Sequence, residues 1–152
     1  MPETRPLSPT TRLLLNVGVP LLYLLPLLVA WFSPKNFGFG VPGLVPVALA
    51  MGFFGWVLWV VAMFQMGSAL QVLPGAERLV AAGVYRYLRH PIYAGIFLTL
   101  LGLLVACGST PGVAYVFLVV VPLNVVRARL EEKALHKQFG EAYQAYLDRT
   151  WF

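Results

Sequence analysis

Charge is what this 152-residue chain has least of: 11% of its residues are Asp, Glu, Lys or Arg, against 59% that are hydrophobic. A water-soluble domain carries roughly 25% charged residues. The shortfall, with a mean hydropathy of +0.76, excludes an ordinary soluble enzyme and points to an integral membrane protein. Cysteine is scarcer still. Cys107 stands alone, which excludes an internal disulfide and a cysteine-cluster metal site. Histidine is limited to His90 and His136, and without supporting Cys or carboxylate spacing they make a poor haem or metal pair. No Ser-His-Asp order, phosphate loop, dinucleotide glycine fingerprint or metalloprotease motif is present. Six acidic residues against eleven basic ones leave a net charge of +5. Nucleic acid is not needed to explain it, because cytoplasmic loops of membrane proteins carry excess Lys and Arg.

What is present is a set of apolar runs. Leu13–Phe32 follows a short polar leader and is long enough to span. No small-residue cleavage site follows it, so it reads as a retained span and not a signal peptide. Its Pro20 and Pro26 are tolerable where neighbouring helices meet the freed backbone groups. Leu44–Met66 is the second run, and Gly67–Arg89 the longest polar connection. Ile92–Cys107 and Val113–Val126 follow, separated by the turn Gly108–Gly112. About 16 helical residues reach only ~24 Å, against a hydrocarbon core of roughly 30 Å. Either these helices extend past Pro91 and Arg127, or the bilayer thins around them. Gly95, Thr99, Gly102 and Ala106 place small residues on one face, as close packing in a membrane needs.

The expected fold is all-α: one integral membrane domain over residues 1–152, a bundle of about four spans with a cytoplasmic amphipathic helix at its C-terminus. Leu135, Phe139, Ala142, Tyr143 and Tyr146 give the tail one apolar face, interrupted near Gly140. Such a helix suits the membrane interface. With four spans, ten of the eleven Lys and Arg share one side and Lys35 alone takes the other. The ten-residue side, with both termini and the Gly67–Arg89 loop, is therefore cytoplasmic.

Chemistry concentrates where polar groups meet these runs. Gly83–Gly95 sets Arg86, Arg89, His90, Tyr85, Tyr87 and Tyr93 against the start of the third run, and polar groups there are costly to hold. His90 precedes Pro91, so it is pushed out of helical geometry and Pro91 opens the helix. Free amides at such a start bind anions. Arg127 and Glu131 are one helical turn apart, as are Glu132 and His136. By themselves these pairs read as surface ion pairs or as an arginine reaching for the interface.

The sequence Leu79-Val80-x-x-Gly83-Val84-Tyr85-x-x-x-Arg89-His90-Pro91-x-Tyr93-x-Gly95, followed by Arg127-x-x-x-Glu131-Glu132 and Phe139-Gly140-x-x-Tyr143-x-x-Tyr146, resembles the isoprenylcysteine carboxyl methyltransferase and phospholipid methyltransferase family. The match covers about residues 68–150. The resemblance implies an integral membrane enzyme that uses S-adenosylmethionine to methylate a lipophilic acceptor. It places the cofactor on Glu77, Arg78, Leu79, Val80, Tyr85, His90, Pro91, Ile92, Tyr93 and Glu131, and the acceptor at Arg127. Gln71 lies one position from a glutamine that contacts cofactor in some members. Glu77 stands where many members have histidine. Two spans before the motif imply a reduced acceptor pocket, or one completed by another subunit of a homo-oligomer. No residue stands out as a base, and an arginine anchors anions, which tilts the acceptor toward a carboxylate or a phosphate-bearing lipid. Two rivals are a non-catalytic binding or assembly protein on the same scaffold and a small transporter subunit. The lack of ionisable residues within the runs opposes the second.

Overall fold

A computed structural model describes residues 9–35, 41–67 and 79–151, and every regular element among them is helical. The order is α1 (Pro9–Phe32), α2 (Leu44–Met66), a 3-10 turn (Gly83–Arg86), α3 (Pro91–Ala106), α4 (Thr110–Tyr115), a π segment (Val116–Val120), α5 (Val121–Phe139) and α6 (Glu141–Leu147). From α4 to α5 the chain runs as one 30-residue helix, Thr110–Phe139. That helix and α2 are long and apolar enough to cross a bilayer; Val17–Phe32 and Pro91–Ala106 are shorter apolar helices.

The second run has the bounds its hydropathy implies, and the third begins at Pro91. The fourth opens earlier than expected, and at its other end takes the first of the two alternatives, extension past Arg127. It opens at Thr110, inside the expected turn, because Ser109 accepts the Gly112 N–H at 3.1 Å and caps it. It then continues past Arg127 without a break, so the polar tail is the same rod leaving its apolar stretch. Val121 N–H reaches back to the Val116 carbonyl, a π turn, and the next residue, Pro122, has no N–H to give. The rod stops at Gly140, whose φ of +49° lies in the left-handed region and turns the chain into α6.

The tightest seam joins α2 to α3. A Cβ on Gly55 would lie 2.6 Å from the Leu98 Cβ, and one on Gly95 2.6 Å from the Trp59 amide nitrogen. Gly102 is pressed against Gly52 and the Ala48 carbonyl. The small-residue face expected on α3 therefore meets a matching one on α2, buried at Ala48, Gly52, Gly55 and Ala62. A second core gathers Ala30, Leu100, Leu104, Val116 and Val120 between α1, α3 and the π segment.

Candidate functional site

The loop leading to His90 is fixed from several directions. Gln65, near the end of α2, accepts the Val84 N–H at 2.8 Å, and a side chain on Gly83 would collide with that carboxamide. Tyr85 is buried, with its hydroxyl on the Ala62 carbonyl at 3.3 Å. Its own carbonyl accepts the Tyr146 hydroxyl at 2.9 Å, and the Tyr87 carbonyl accepts the Trp151 N–H at 3.1 Å. Arg89 completes the clip. Its Nε donates to Thr150 Oγ1 at 2.9 Å, and its Nη2 to the Leu147 and Thr150 carbonyls at 3.0 and 3.2 Å. The C-terminal segment thus docks on the loop through Tyr146, while Ala142, expected on the same face, is exposed.

His90 then takes φ −126° and ψ 55°, and α3 begins with Pro91. The His90 and Tyr93 rings stack at 5.7 Å, both facing α5. Glu132 Oε1 lies 3.0 Å from His90 Nε2, and Glu131 Oε2 lies 3.9 Å from His90 Nδ1. Tyr93 donates its hydroxyl to Glu131 and accepts from Arg127 Nε at 3.2 Å. The Arg127 guanidinium also rests 5.6 Å from the centre of the Tyr93 ring.

This corrects two local pairings. Arg127 and Glu131 share a helix face, but Tyr93 stands between them and each is hydrogen-bonded to its hydroxyl. Glu132 does not pair with His136, because His90 arrives from another element at 3.0 Å. His136 instead lies edge-on to Tyr143.

The electrostatics follow from burial. The apolar stretch of the long helix ends at Val126, and Glu131 lies more than a turn beyond it. Burial pushes the Glu131 carboxyl above its usual range; the Tyr93 hydrogen bond, His90 and Arg127 oppose that rise. Burial also raises the Tyr85 hydroxyl, and pushes Tyr143 up to about 12. A cation placed beside this carboxyl would favour its ionised form and oppose the rise.

A cavity of about 50 Å³ is lined by Tyr85, His90, Pro91, Ile92, Tyr93, Arg127 and Glu131, together with Met66 and Arg89. Seven of the residues singled out from the sequence therefore converge. Leu79 lines a separate surface hollow beside α6, and Val80 is partly buried without reaching the small cavity. Gln71, Glu77 and Arg78 lie outside the described residues. Sequence reasoning missed Glu132 as the partner of His90, although its place beside Glu131 is a signal. It also missed Arg89 as the clip, and a partly buried bond from Tyr23 to Asn124 Oδ1 at 2.6 Å. Neither has any local signature. Among the described residues no cluster of His, Cys, Asp and Glu has the makings of a metal site.

Residues 41–142 match the family described as phospholipid methyltransferase. Over 104 residues the chain is 33% identical to Protein-S-isoprenylcysteine O-methyltransferase of Schizosaccharomyces pombe, an alignment covering 64% of this chain and 44% of that protein. The proteins of the same name from Rattus norvegicus and Homo sapiens are 38% and 37% identical over 110 residues, 67% of this chain and 38% of theirs. The chain spans less than half the length of these relatives. No solved structure matches it.

Proposed function

The chain belongs to the phospholipid methyltransferase family, and from that premise we propose that it transfers a methyl group from S-adenosylmethionine to a lipophilic acceptor held in the bilayer. The observation that carries the reading is the Tyr93 hydroxyl between Arg127 and Glu131, beside His90 held by Glu132. The cluster joins the start of α3 to the long helix where its apolar stretch ends. In the arrangement we propose, α1, α2, α3 and the apolar part of Thr110–Phe139 are four spans of a single domain, with both termini and the Gly67–Arg89 loop in the cytoplasm. The ten-to-one division of Lys and Arg supports it.

The donor set fits the cofactor's charges. Glu131 and Glu132 suit an ammonium or sulfonium cation. The first-turn amides of α3, at Ile92 and Tyr93, suit a carboxylate. The 50 Å³ between them is room for about two waters at ~30 Å³ each, so it takes one end of such a molecule. The rest would lie over Tyr85, toward Leu79 and Val80, with Gln71, Glu77 and Arg78 as further contacts. When bound, S-adenosylmethionine supplies a methyl group on a sulfonium centre, open to in-line attack. The protein's own part is placement, which provides most of the acceleration in a displacement of this kind. Tyr93, tied to both Glu131 and Arg127, fixes the distance between the two sides of the site. Arg127 anchors an anionic head group arriving from the lipid.

The relatives' names specify O-methylation of an isoprenylcysteine, and an ionised carboxylate needs no base to accept a methyl group. We therefore favour a carboxylate acceptor on a hydrophobic chain over a phospholipid amine. Methyl-labelled S-adenosylmethionine, offered with lipid fractions and prenylated cysteine analogues to the reconstituted protein, tests this. Label in a lipophilic product is expected. Cofactor binding with no transfer to any acceptor would favour a non-catalytic binding role instead.

A further inference from the structure

Two polar side chains, one partly buried and one buried, meet between apolar helices without a part in the cluster above. Tyr23 of α1 donates to Asn124 of α5, and Asn124 is 8% exposed. Polar groups at such depth are costly and tend to mark ligand paths. Asn124 lies one turn beyond the end of the π segment and two residues after Pro122, and π turns recur at functional positions. It lies three residues before Arg127, on the same helix face.

The surroundings of this pair are apolar and empty. On one side, Asn124 and Tyr93 line a cavity of about 230 Å³. Tyr93 also borders the small site cavity, so the two are neighbours. On the other side, Tyr23 lines a cavity of about 390 Å³ between α1, α2 and α3, a volume within the range of small-molecule sites. Its walls include Leu24, Leu27, Trp59, Ile96 and Leu103. Its one aliphatic hydroxyl, on Thr99, is bound to the Gly95 carbonyl at 2.7 Å. Leu24, Leu27 and Leu103 on its walls are solvent-accessible in the protein alone, so the cavity is open at the flank of these apolar helices. The two cavities share no lining residue, and the Tyr23–Asn124 bond ties the wall of one to the wall of the other.

We infer that the cavity beside Tyr23 receives the hydrocarbon chain of the acceptor, and that the Tyr23–Asn124 pair sets how much of that chain fits between the bilayer and Tyr93. The ligand class is an isoprenoid-sized hydrocarbon, because the lining is almost wholly apolar and the Tyr23 and Thr99 hydroxyls on it are already bound. The word acceptor rests on the methyl-transfer reading; the cavity's taste for hydrocarbon does not.

The test uses the full chain in lipid nanodiscs and N-acetyl cysteine thioethers bearing two, three or four isoprene units, each with a photoreactive diazirine at the chain end. Crosslinks are expected on Leu24, Leu27 or Leu103. Leu27→Trp and, on the facing wall, Leu103→Trp should each cut that labelling by at least about tenfold, the scale of a misfit in an apolar pocket. Tyr23→Phe, which keeps the ring and frees Asn124, should shift the ratio of longest-chain to shortest-chain labelling by about tenfold. Crosslinks mapping elsewhere, undiminished labelling in both folded Trp variants, or an unchanged ratio in Tyr23→Phe would each overturn the inference. Methylation is scored on the same three thioethers. A labelled cavity without methylation removes the methyl-transfer reading and leaves the cavity's assignment standing. Methylation with an unlabelled cavity does the reverse.

Discussion

The two borders of α3 are built on opposite plans. Toward α2, glycine meets glycine and backbone meets backbone, with no room for even a methyl group at Gly55, Gly95 or Gly102. Toward α1, the helices stand apart around a 390 Å³ cavity. There α1 is held by Ala30 in the second core, by the Tyr23–Asn124 bond, by the Tyr115 hydroxyl on the Leu22 carbonyl, and by Ser33 on the buried Ser109. In a bilayer the hydrophobic effect does little to join helices, so close packing must supply the adhesion. The α2–α3 seam is thus the fixed frame that aims His90 and Tyr93 at α5. The α1 border is where the structure has space to yield.

The contrast breaks first at Gly95. In Gly95→Ala the new methyl would lie 2.6 Å from the Trp59 amide nitrogen and 2.8 Å from its Cα, and backbone cannot step aside. We expect a loss of about 3 kcal/mol, read as a lowered unfolding midpoint in detergent. A midpoint equal to that of the parent would mean the seam is not tight. Gly52 sharpens the point, because its Cβ would meet α3 at an ordinary 3.5 Å; Gly52→Ala should keep the parent midpoint.

If the seam is the frame, changes in the cluster it aims should cost function and not fold. Arg127→Ala should lower turnover efficiency at least about tenfold, ~1.4 kcal/mol, with an unfolding midpoint near that of the parent. Arg127→Lys should recover part of it, since lysine lacks the planar fork. Turnover unchanged in Arg127→Ala would place the acceptor's head group elsewhere.

The clip that holds the loop to the C-terminal segment should give a smaller effect. Thr150→Val removes the hydroxyl that accepts from Arg89 Nε, a charge-assisted contact backed by two carbonyls. About 1 kcal/mol is expected, seen as faster amide exchange at Val84–Leu88 with little change in α2. Uniform acceleration across both would mean that the clip stabilises the whole bundle. The smallest effect belongs to the α1 border. A Cβ on Gly18 would meet nothing within 4 Å, so Gly18→Ala should raise stability by about 0.5–1 kcal/mol through helix propensity alone. A marked loss there would mean that α1 is packed more closely than the open space around Gly18 shows.

The frame was largely legible in the sequence. Leu44–Met66 is bounded by its own hydropathy, Pro91 after a non-helical His90 marks the start of α3, and the α3 small-residue face is visible at its spacing. The matching face on α2 escaped notice because Phe53, Phe54 and Trp56, which point outward, dominate the run. The site was legible as a set of residues and not as a set of bonds. Arg127–Glu131 and Glu132–His136 satisfy helix spacing, yet Tyr93 and His90, distant in sequence, take those partners. Local pattern reports which side chains share a face and is silent about what arrives from another element. The same holds for Arg89, whose three acceptors lie some 60 positions away, and for Tyr23 with Asn124. Extension past Arg127 stayed one of two alternatives because hydropathy changes sign there while the backbone of Thr110–Phe139 does not.

The central claim is that the cluster has two sides, a cofactor side at Glu131 and an acceptor side at Arg127, separated by the Tyr93 hydroxyl. Calorimetric titration of the folded, detergent-solubilised protein with S-adenosylmethionine and its demethylated product tests it most directly. The account predicts micromolar binding, roughly −8 kcal/mol, weakened at least about tenfold in Glu131→Ala and changed little in Arg127→Ala. The account is contradicted if the folded protein gives no heat and no competition, or if Arg127→Ala loses cofactor as completely as Glu131→Ala.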